Sequence, residues 1–452
     1  MQKTIYLVSD CKQTNSMKRR KNFKFKLIVF IFSVIIVSCQ NDGKTEKINS
    51  SISKTDSCTD YIEHHYEVYI PQRTNSKKTL TLLVVLDSKG AGKYAIQKFK
   101  QTADKYGTIV VASDLIKNNF ENYINATDAL IKDVTKKYPV GKTIYMCGFS
   151  GGARMTLNYA LIHNHISGII LCGAFASQHQ LSVLSCPVVS ISGINDFNFS
   201  ESANYFFKME EAPYCLKFEL TADAHQWPNE SILKRAVGYL VMDEKNPAIN
   251  RHEKKIFYSS QEKRIDSLQK TGEFIKSALV LHNIMNSDLN KFRKKFTELT
   301  ETNGYLKQIS LLGENLKLEE KSRQPYYNAL QEKDTIWWKN EISNLNHRID
   351  TTKNIWTKSM YCRMKGFLGI ACYSISKQSA QNKQIKQLKH ILPIYSLLEP
   401  KNPDVFYFSA IFDMLQGKNE DVIKNLKKAK ELGYSDLKQM QKDFPDKIIN
   451  LL

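Results

Sequence analysis

The pentapeptide Gly148-Phe149-Ser150-Gly151-Gly152 constrains this chain more than any other stretch, because of what flanks it. Residues 143–147 before it form an apolar, β-prone run, and residues 151–163 after its serine carry helical periodicity. A strand that enters a helix through so short a turn must hold the residue between them in a strained backbone conformation. The positions two before and two after that residue then have no room for a side chain. Gly148 and Gly152 meet that demand. The serine stands at a helix N-terminus, where N–H groups without helical partners favour developing negative charge. Gly-x-Ser-x-Gly recurs by chance in many chains, so the strand-turn-helix context gives the motif its weight.

The surrounding region, from about Tyr61 to Met242, alternates short apolar runs with amphipathic ones. Strands are expected at 79–86, 108–112, 143–147, 168–171, 188–191 and 217–220, all apolar on both faces as buried parallel strands are. Helices fit between them at 94–105, 121–137, 151–163, 200–209 and 230–241. The pattern predicts an α/β fold, a mostly parallel sheet covered by helices. On such a sheet a nucleophilic serine is completed by an acid and then a histidine, each on a loop after a later strand. Asp196 follows the strand at 188–191, and His225 follows the strand ending at Leu220. Asp223 is too near His225 in sequence to be the first choice. One oxyanion donor is expected to be the N–H of Gly151, and the second to come from the glycine-bearing loop 87–92, at Ser88 or a neighbour. The segments between strands are too short for a large lid, which predicts an open site. Gly90 to Lys93 lacks phosphate-loop spacing, and His64, His65, His163 and His165 lack partners at ligand spacing, so no nucleotide, metal or other cofactor is expected.

Residues 1–38 read as a signal peptide. Lys18, Arg19, Arg20, Lys21, Lys24 and Lys26 precede an apolar run at 27–37 that is short of the ~20 residues a membrane span needs. Residues 1–16 have no leader character, which makes Met17 an alternative start. The run ends at Ser38 and Cys39, the latter expected to carry the lipid, and residues 39–58 are polar enough to read as a flexible tether. The leader also holds eight basic residues and one acid, so the net charge of +20 becomes +13 without it. What remains is scattered lysine without an arginine-rich stripe, so no nucleic-acid partner is expected. The cysteines show no metal spacing, and a pairing such as Cys186 with Cys215 is left open by the sequence.

Past Asn250 the texture becomes Lys, Glu, Leu and Asn with few glycines or prolines, and the remainder is expected to be all-helical. Pro400 and Tyr434 lie one 34-residue period apart. Between them Phe406, Ala410, Gly417, Leu426 and Ala429 take the large, small, turn, large and small positions of a tetratricopeptide-like unit. Residues 366–395 are the best candidate for an earlier unit. Trp337 and Trp338, at helical spacing, read as partly buried core. The expected organisation is a leader (1–38), a tether (39–58), an α/β domain (59–245) able to fold alone, and a helical domain (246–452).

Residues 60–242 resemble compact α/β-hydrolases of the feruloyl-esterase, polyhydroxybutyrate-depolymerase and dienelactone-hydrolase kind, through residues 148–152, Asp196 and the His225-Gln226-Trp227-Pro228 stretch. With its leader, residues 86–90, Tyr106-Gly107 and repeat-bearing tail, the arrangement also resembles lipoproteins of Bacteroidetes-type bacteria. The resemblance covers about two-fifths of the chain and implies a lipid-anchored serine esterase of the bacterial cell envelope, acting on an ester-bearing small molecule or glycan. Many such esterases carry His-Gly in the loop at 87–92. This chain does not, which leaves the second oxyanion donor open. Two other readings stand beside this one: a serine peptidase of the same fold, and a non-catalytic envelope protein whose helical domain binds a protein partner.

Overall fold

The computed structural model describes residues 50–72, 79–213, 215–242 and 250–452. The leader and Cys39 lie outside them. Eight strands, β1 (Ile52–Cys58), β2 (Tyr61–Ile70), β3 (Leu80–Leu86), β4 (Thr108–Ser113), β5 (Val140–Phe149), β6 (Gly168–Cys172), β7 (Val188–Gly193) and β8 (Leu216–Thr221), form one sheet in the order β1-β2-β4-β3-β5-β6-β7-β8. Neighbours from β4 to β8 pair in parallel, while β2 runs antiparallel to both β1 and β4. All six expected strands are present and buried on both faces; Leu82 to Leu86, for example, are without solvent exposure, whereas β8, expected to be apolar on both faces, buries Lys217 and Glu219 on one of them.

Several features depart from the sequence reading. Residues 61–70, where no strand was expected, form β2 and pair antiparallel with β4. Residues 52–58, expected to be tether, form β1, whose sheet neighbour among the described residues is β2 and whose side chains are mostly exposed. Its polar composition suits a two-sidedly wet edge strand as well as it suits a linker. The helix expected over 94–105 is two pieces, α1 (Gly92–Gln97) and α2 (Lys100–Tyr106). The remaining α-helices of this region are α3 (Tyr123–Lys137), α4 (Gly151–Ile162), α5 (Gln178–Val183), α6 (Phe199–Ala203) and α7 (Glu230–Val241); the helix expected over 200–209 is divided into α6 and a 3₁₀ segment at Phe206–Glu211.

From residue 251 the chain is helical: α8 (Arg251–Lys270), α9 (Phe274–Ile284), α10 (Leu289–Thr300), α11 (Asn303–Glu332), α12 (Thr335–Thr351), α13 (Ile355–Gln381), α14 (Ile385–Leu398), α15 (Pro403–Leu415), α16 (Asn419–Glu431), α17 (Leu437–Asp443) and α18 (Asp446–Ile449). No helix among the described residues is long and apolar enough to cross a membrane. The tail has two halves. Trp338, Leu388, Tyr395, Phe408, Ala410 and Leu426 belong to a core of its own, with Trp338 fully buried and Trp337 at the surface. Ala410, Leu426 and Ala429 are buried there, Phe406 packs at the edge, and Gly417 takes φ +74° in the turn between α15 and α16.

The first half of the tail has no separate core. Ile275, Leu279, Leu281, Phe292 and Leu312 pack into the same apolar cluster as the strands. The apolar interior therefore continues past the expected boundary at 245/246, which itself lies outside the described residues. The reason lies at β8, the edge of the sheet. Helix α9 covers that edge, and Asn283 imitates a neighbouring strand: its Oδ1 accepts from the Phe218 N–H (2.8 Å) and its Nδ2 donates to the Phe218 carbonyl (2.7 Å). Beside it the fully buried Glu219 accepts two bonds from Arg264 of α8, at 2.6 and 2.8 Å, and one from Arg235 of α7 at 3.2 Å.

Candidate active site

In open α/β sheets the crevice lies beyond the carboxyl ends of the strands, where the connections diverge to either side. Here that point is between β3 and β5, since β3 is flanked by β4 and by β5. Ser150 follows β5 directly. Its backbone sits at φ +55°, ψ −119°, a region that a non-glycine residue occupies only where its surroundings enforce it. Its N–H donates to the Cys172 carbonyl (2.8 Å), and its own carbonyl accepts from Ala153 and Arg154 as α4 begins.

The two flanking glycines are tightly enclosed. A Cβ on Gly148 would lie 2.2 Å from the Gly152 carbonyl oxygen, and one on Gly152 would lie 2.1 Å from that of Leu86. The elbow is thus wedged against the end of β3, which brings the loop at 87–92 beside the serine. Gly151 is the first residue of α4, so its N–H has no carbonyl partner within the helix. The Asn118 carboxamide lies over it, 1.7 Å from where a Cβ would stand. The Asn118 N–H donates to the Ser88 carbonyl (2.9 Å), which fixes this exposed asparagine to the loop that bears Ser88. Nothing in the sequence around Asn118 marked it as a site residue.

His225 links the other two candidates. Its Nε2 is 2.8 Å from the Ser150 Oγ, and its Nδ1 is 2.9 Å from both carboxylate oxygens of Asp196. Asp196 is 2% exposed, and its Oδ1 also accepts the Asn198 N–H (2.8 Å). Asp223 does not touch His225; its Oδ1 accepts from the Gln226 side chain. The acid and histidine loops are stitched together by backbone bonds from Ile194 to Thr221 and from Asn195 to Asp223. Gly193 permits this approach, since a Cβ there would meet the Asp223 carbonyl oxygen at 2.2 Å.

Two aromatic rings pack against the imidazole, Phe149 at 4.9 Å and Phe197 at 4.3 Å between centroids. Gly173, with φ +64°, lies at the same spot; a Cβ on it would come within 2.8 Å of Phe149, 3.2 Å of Asp196 and 3.3 Å of His225. Trp227 joins the histidine loop to the β3 loop. Its Nε1 donates to the Asp87 Oδ2 (2.6 Å), and the Asp87 Oδ1 accepts the N–H groups of Lys89 and Ala91.

Ser150 is partly exposed, and the tail reaches the carboxyl end of the sheet around it. Lys117 forms an ion pair with Asp436 (3.5 Å), and helices α11 and α13 pack on the acid loop through Arg323 and Arg363. Asp404 of α15 faces the same edge: burial raises its carboxyl above the ordinary value, and the charge of Lys89 opposes that shift. Sequence reading missed these contacts because they come from helices more than a hundred residues downstream.

No protein-family model and no curated protein matches the chain. Among solved structures, it is similar to the S-formylglutathione hydrolase FrmB from Staphylococcus aureus, at 15% identity and a TM-score of 0.35, over 42% of this chain and 96% of that one. It is likewise similar to FphF, a fluorophosphonate-binding serine hydrolase of Staphylococcus aureus (14%, TM-score 0.35, 42% and 98%). A third is Est1E from Butyrivibrio proteoclasticus (13%, TM-score 0.35, 42% and 98%).

Proposed function

We propose that this chain is a serine hydrolase of carboxylic esters. The observation that carries the reading is the unbroken sequence of contacts from Ser150 Oγ through both nitrogens of His225 to Asp196, on a serine held at positive φ. His225 accepts the Ser150 proton as Oγ attacks the ester carbonyl, and returns it to the departing alkoxide. Water, deprotonated by the same imidazole, then attacks the acyl-serine ester; the acid leaves as Ser150 Oγ takes the proton back from the imidazolium. Asp196 holds the imidazole with its Nδ1 proton directed at the carboxylate. The Gly151 N–H and a donor from the loop at 87–92, with Ser88 the first choice, receive the oxyanion. Asn118, above Gly151, is placed to bound that position.

A fluorophosphonate probe tests the reading, because it phosphonylates only a serine whose hydroxyl is activated. Wild-type protein is expected to label at Ser150, and Ser150→Ala to remain unlabelled. Wild-type protein that stays unlabelled would leave the non-catalytic envelope reading in its place. Rates on p-nitrophenyl acetate and on a peptide p-nitroanilide then separate esterase from peptidase.

We further propose that Cys39 is acylated and that the mature chain is tethered in the bacterial cell envelope, on the strength of the basic segment, apolar run and small residue before it. A fatty-acid analogue fed to expressing cells should label the wild type and not Cys39→Ala. An unlabelled wild type would end the lipoprotein reading.

A further inference from the structure

The acid loop is gripped from outside the α/β region. Arg363, in the middle of α13, has a side chain with no solvent exposure. Its Nη1 donates to the carbonyl of Ile194 (2.7 Å), two residues before Asp196, and its guanidinium lies 4.8 Å from the centre of the Phe199 ring. Arg323 of α11 donates from Nη2 to the carbonyl of Phe197 (3.1 Å), one residue after Asp196. Between the two stands Glu319, 2% exposed, which accepts from Arg363 Nε at 2.8 Å and from Arg323 Nη2 at 3.0 Å. Phe197 is also the ring that covers His225.

A buried ion pair of this kind is weak as a source of stability, because desolvating both charges offsets most of their attraction. Burial indeed draws the Arg363 guanidinium below its ordinary pKa, against the pull of Glu319. What the arrangement does supply is position. The two guanidinium donors bracket Asp196 on the chain, and neither touches a triad side chain. We infer that Arg363, Glu319 and Arg323 are positioning residues for the catalytic acid, so that the helical tail completes the triad's geometry and the α/β region is not competent without it. The inference rests on the serine-hydrolase reading.

Its mechanism is simple. Without the Arg363 donor, the Ile194 carbonyl loses its fixed partner, the loop gains freedom, and the Asp196 carboxylate spends less time on His225 Nδ1. A displacement of about 1 Å at such a place costs on the order of 10²-fold in turnover.

The test uses the full chain and p-nitrophenyl acetate. Arg363→Met is expected to lower kcat by roughly 10- to 100-fold with KM within about twofold. Arg323→Met should lower it less, and Arg323→Lys, which retains one donor for the Phe197 carbonyl, should restore most of the difference. Combined with Asp196→Asn, Arg363→Met should cost little beyond Asp196→Asn alone, since both act on one contact. Variants that lose only thermal stability, with kcat unchanged, would overturn the inference, and so would a full additional loss on top of Asp196→Asn. Should Arg363→Met fail to fold, the Arg323 pair decides alone, because that side chain is partly exposed. Wild-type protein that neither hydrolyses the ester nor labels at Ser150 would defeat the parent reading and this inference together, whereas an active wild type with indifferent variants defeats only the inference.

Discussion

Replacing Ser150 or His225 by alanine is expected to lower ester turnover roughly 10⁴-fold or more, with the double variant hardly worse than either single one. The expectation follows from the contacts: the imidazole is 2.8 Å from the Ser150 hydroxyl, so on the proposed mechanism neither group acts without the other. Asp196→Asn should also cost a large factor. Its amide can present an N–H toward His225 Nδ1, which favours the tautomer with the proton on Nε2, the nitrogen that must accept from Ser150. Thermal stability should change little for Ser150→Ala and can rise, since the replacement leaves the strained elbow intact but removes only a hydroxyl. Steady-state kinetics on an activated ester, with active-site titration to count competent molecules, checks all four proteins. A Ser150→Ala protein with near wild-type turnover would remove the catalytic assignment.

A fragment cut at 245 is expected not to fold. The sheet's edge strand β8 would lose α9, and with it the Asn283 bonds to Phe218 and the apolar cover from Ile275, Leu279 and Leu281. An uncovered edge with an apolar face favours association between copies. The fragment should therefore appear in inclusion bodies or lack a cooperative melting transition, as expression trials, near-ultraviolet circular dichroism and calorimetry would show. Soluble, cooperatively melting 50–245 protein would mean that the edge tolerates exposure. In the full chain, Asn283→Ala offers a milder version: it strands a buried N–H and a buried carbonyl, at about 1–3 kcal/mol for each. Glu219 adds a pH dependence. Burial works against its charge, but Arg264 and Arg235 hold its carboxyl below the ordinary 4.5. A lowered acid contributes stability that is complete above its unfolded-state pKa and is lost as pH falls through the folded one. The melting temperature should thus decline below about pH 4.5, and less steeply in a Glu219→Gln protein that still folds.

Much of the site was legible because its signals are local. Strands buried on both faces are mostly apolar runs, so β3 to β7 stood out, and β8 showed through its alternating Leu216, Phe218 and Leu220; the loops after them could be searched for Asp196 and His225. Gly148 and Gly152 announced the elbow because no other residue fits where a Cβ would meet backbone oxygen near 2 Å. The misses were of another kind. Residues 52–58 become a strand only because β2 offers an unpaired edge. Asn118 and Gly173 look like ordinary loop residues until the fold brings them to Gly151 and His225.

The sequence by itself determined the succession of the six strands β3 to β8 along the chain, the elbow, and the chain order of the candidate serine, acid and histidine, all of which depend on spacing and residue type within a few tens of positions. Only the tertiary structure decided where the interior ends and who steadies the acid. Arg363 lies 169 residues from the Ile194 carbonyl it holds. In the sequence it is one more arginine on a helix, no different from those that face water. Its meaning depends on a burial and a partner that arise when α11 and α13 settle against the acid loop, and no local pattern encodes a contact made at that range.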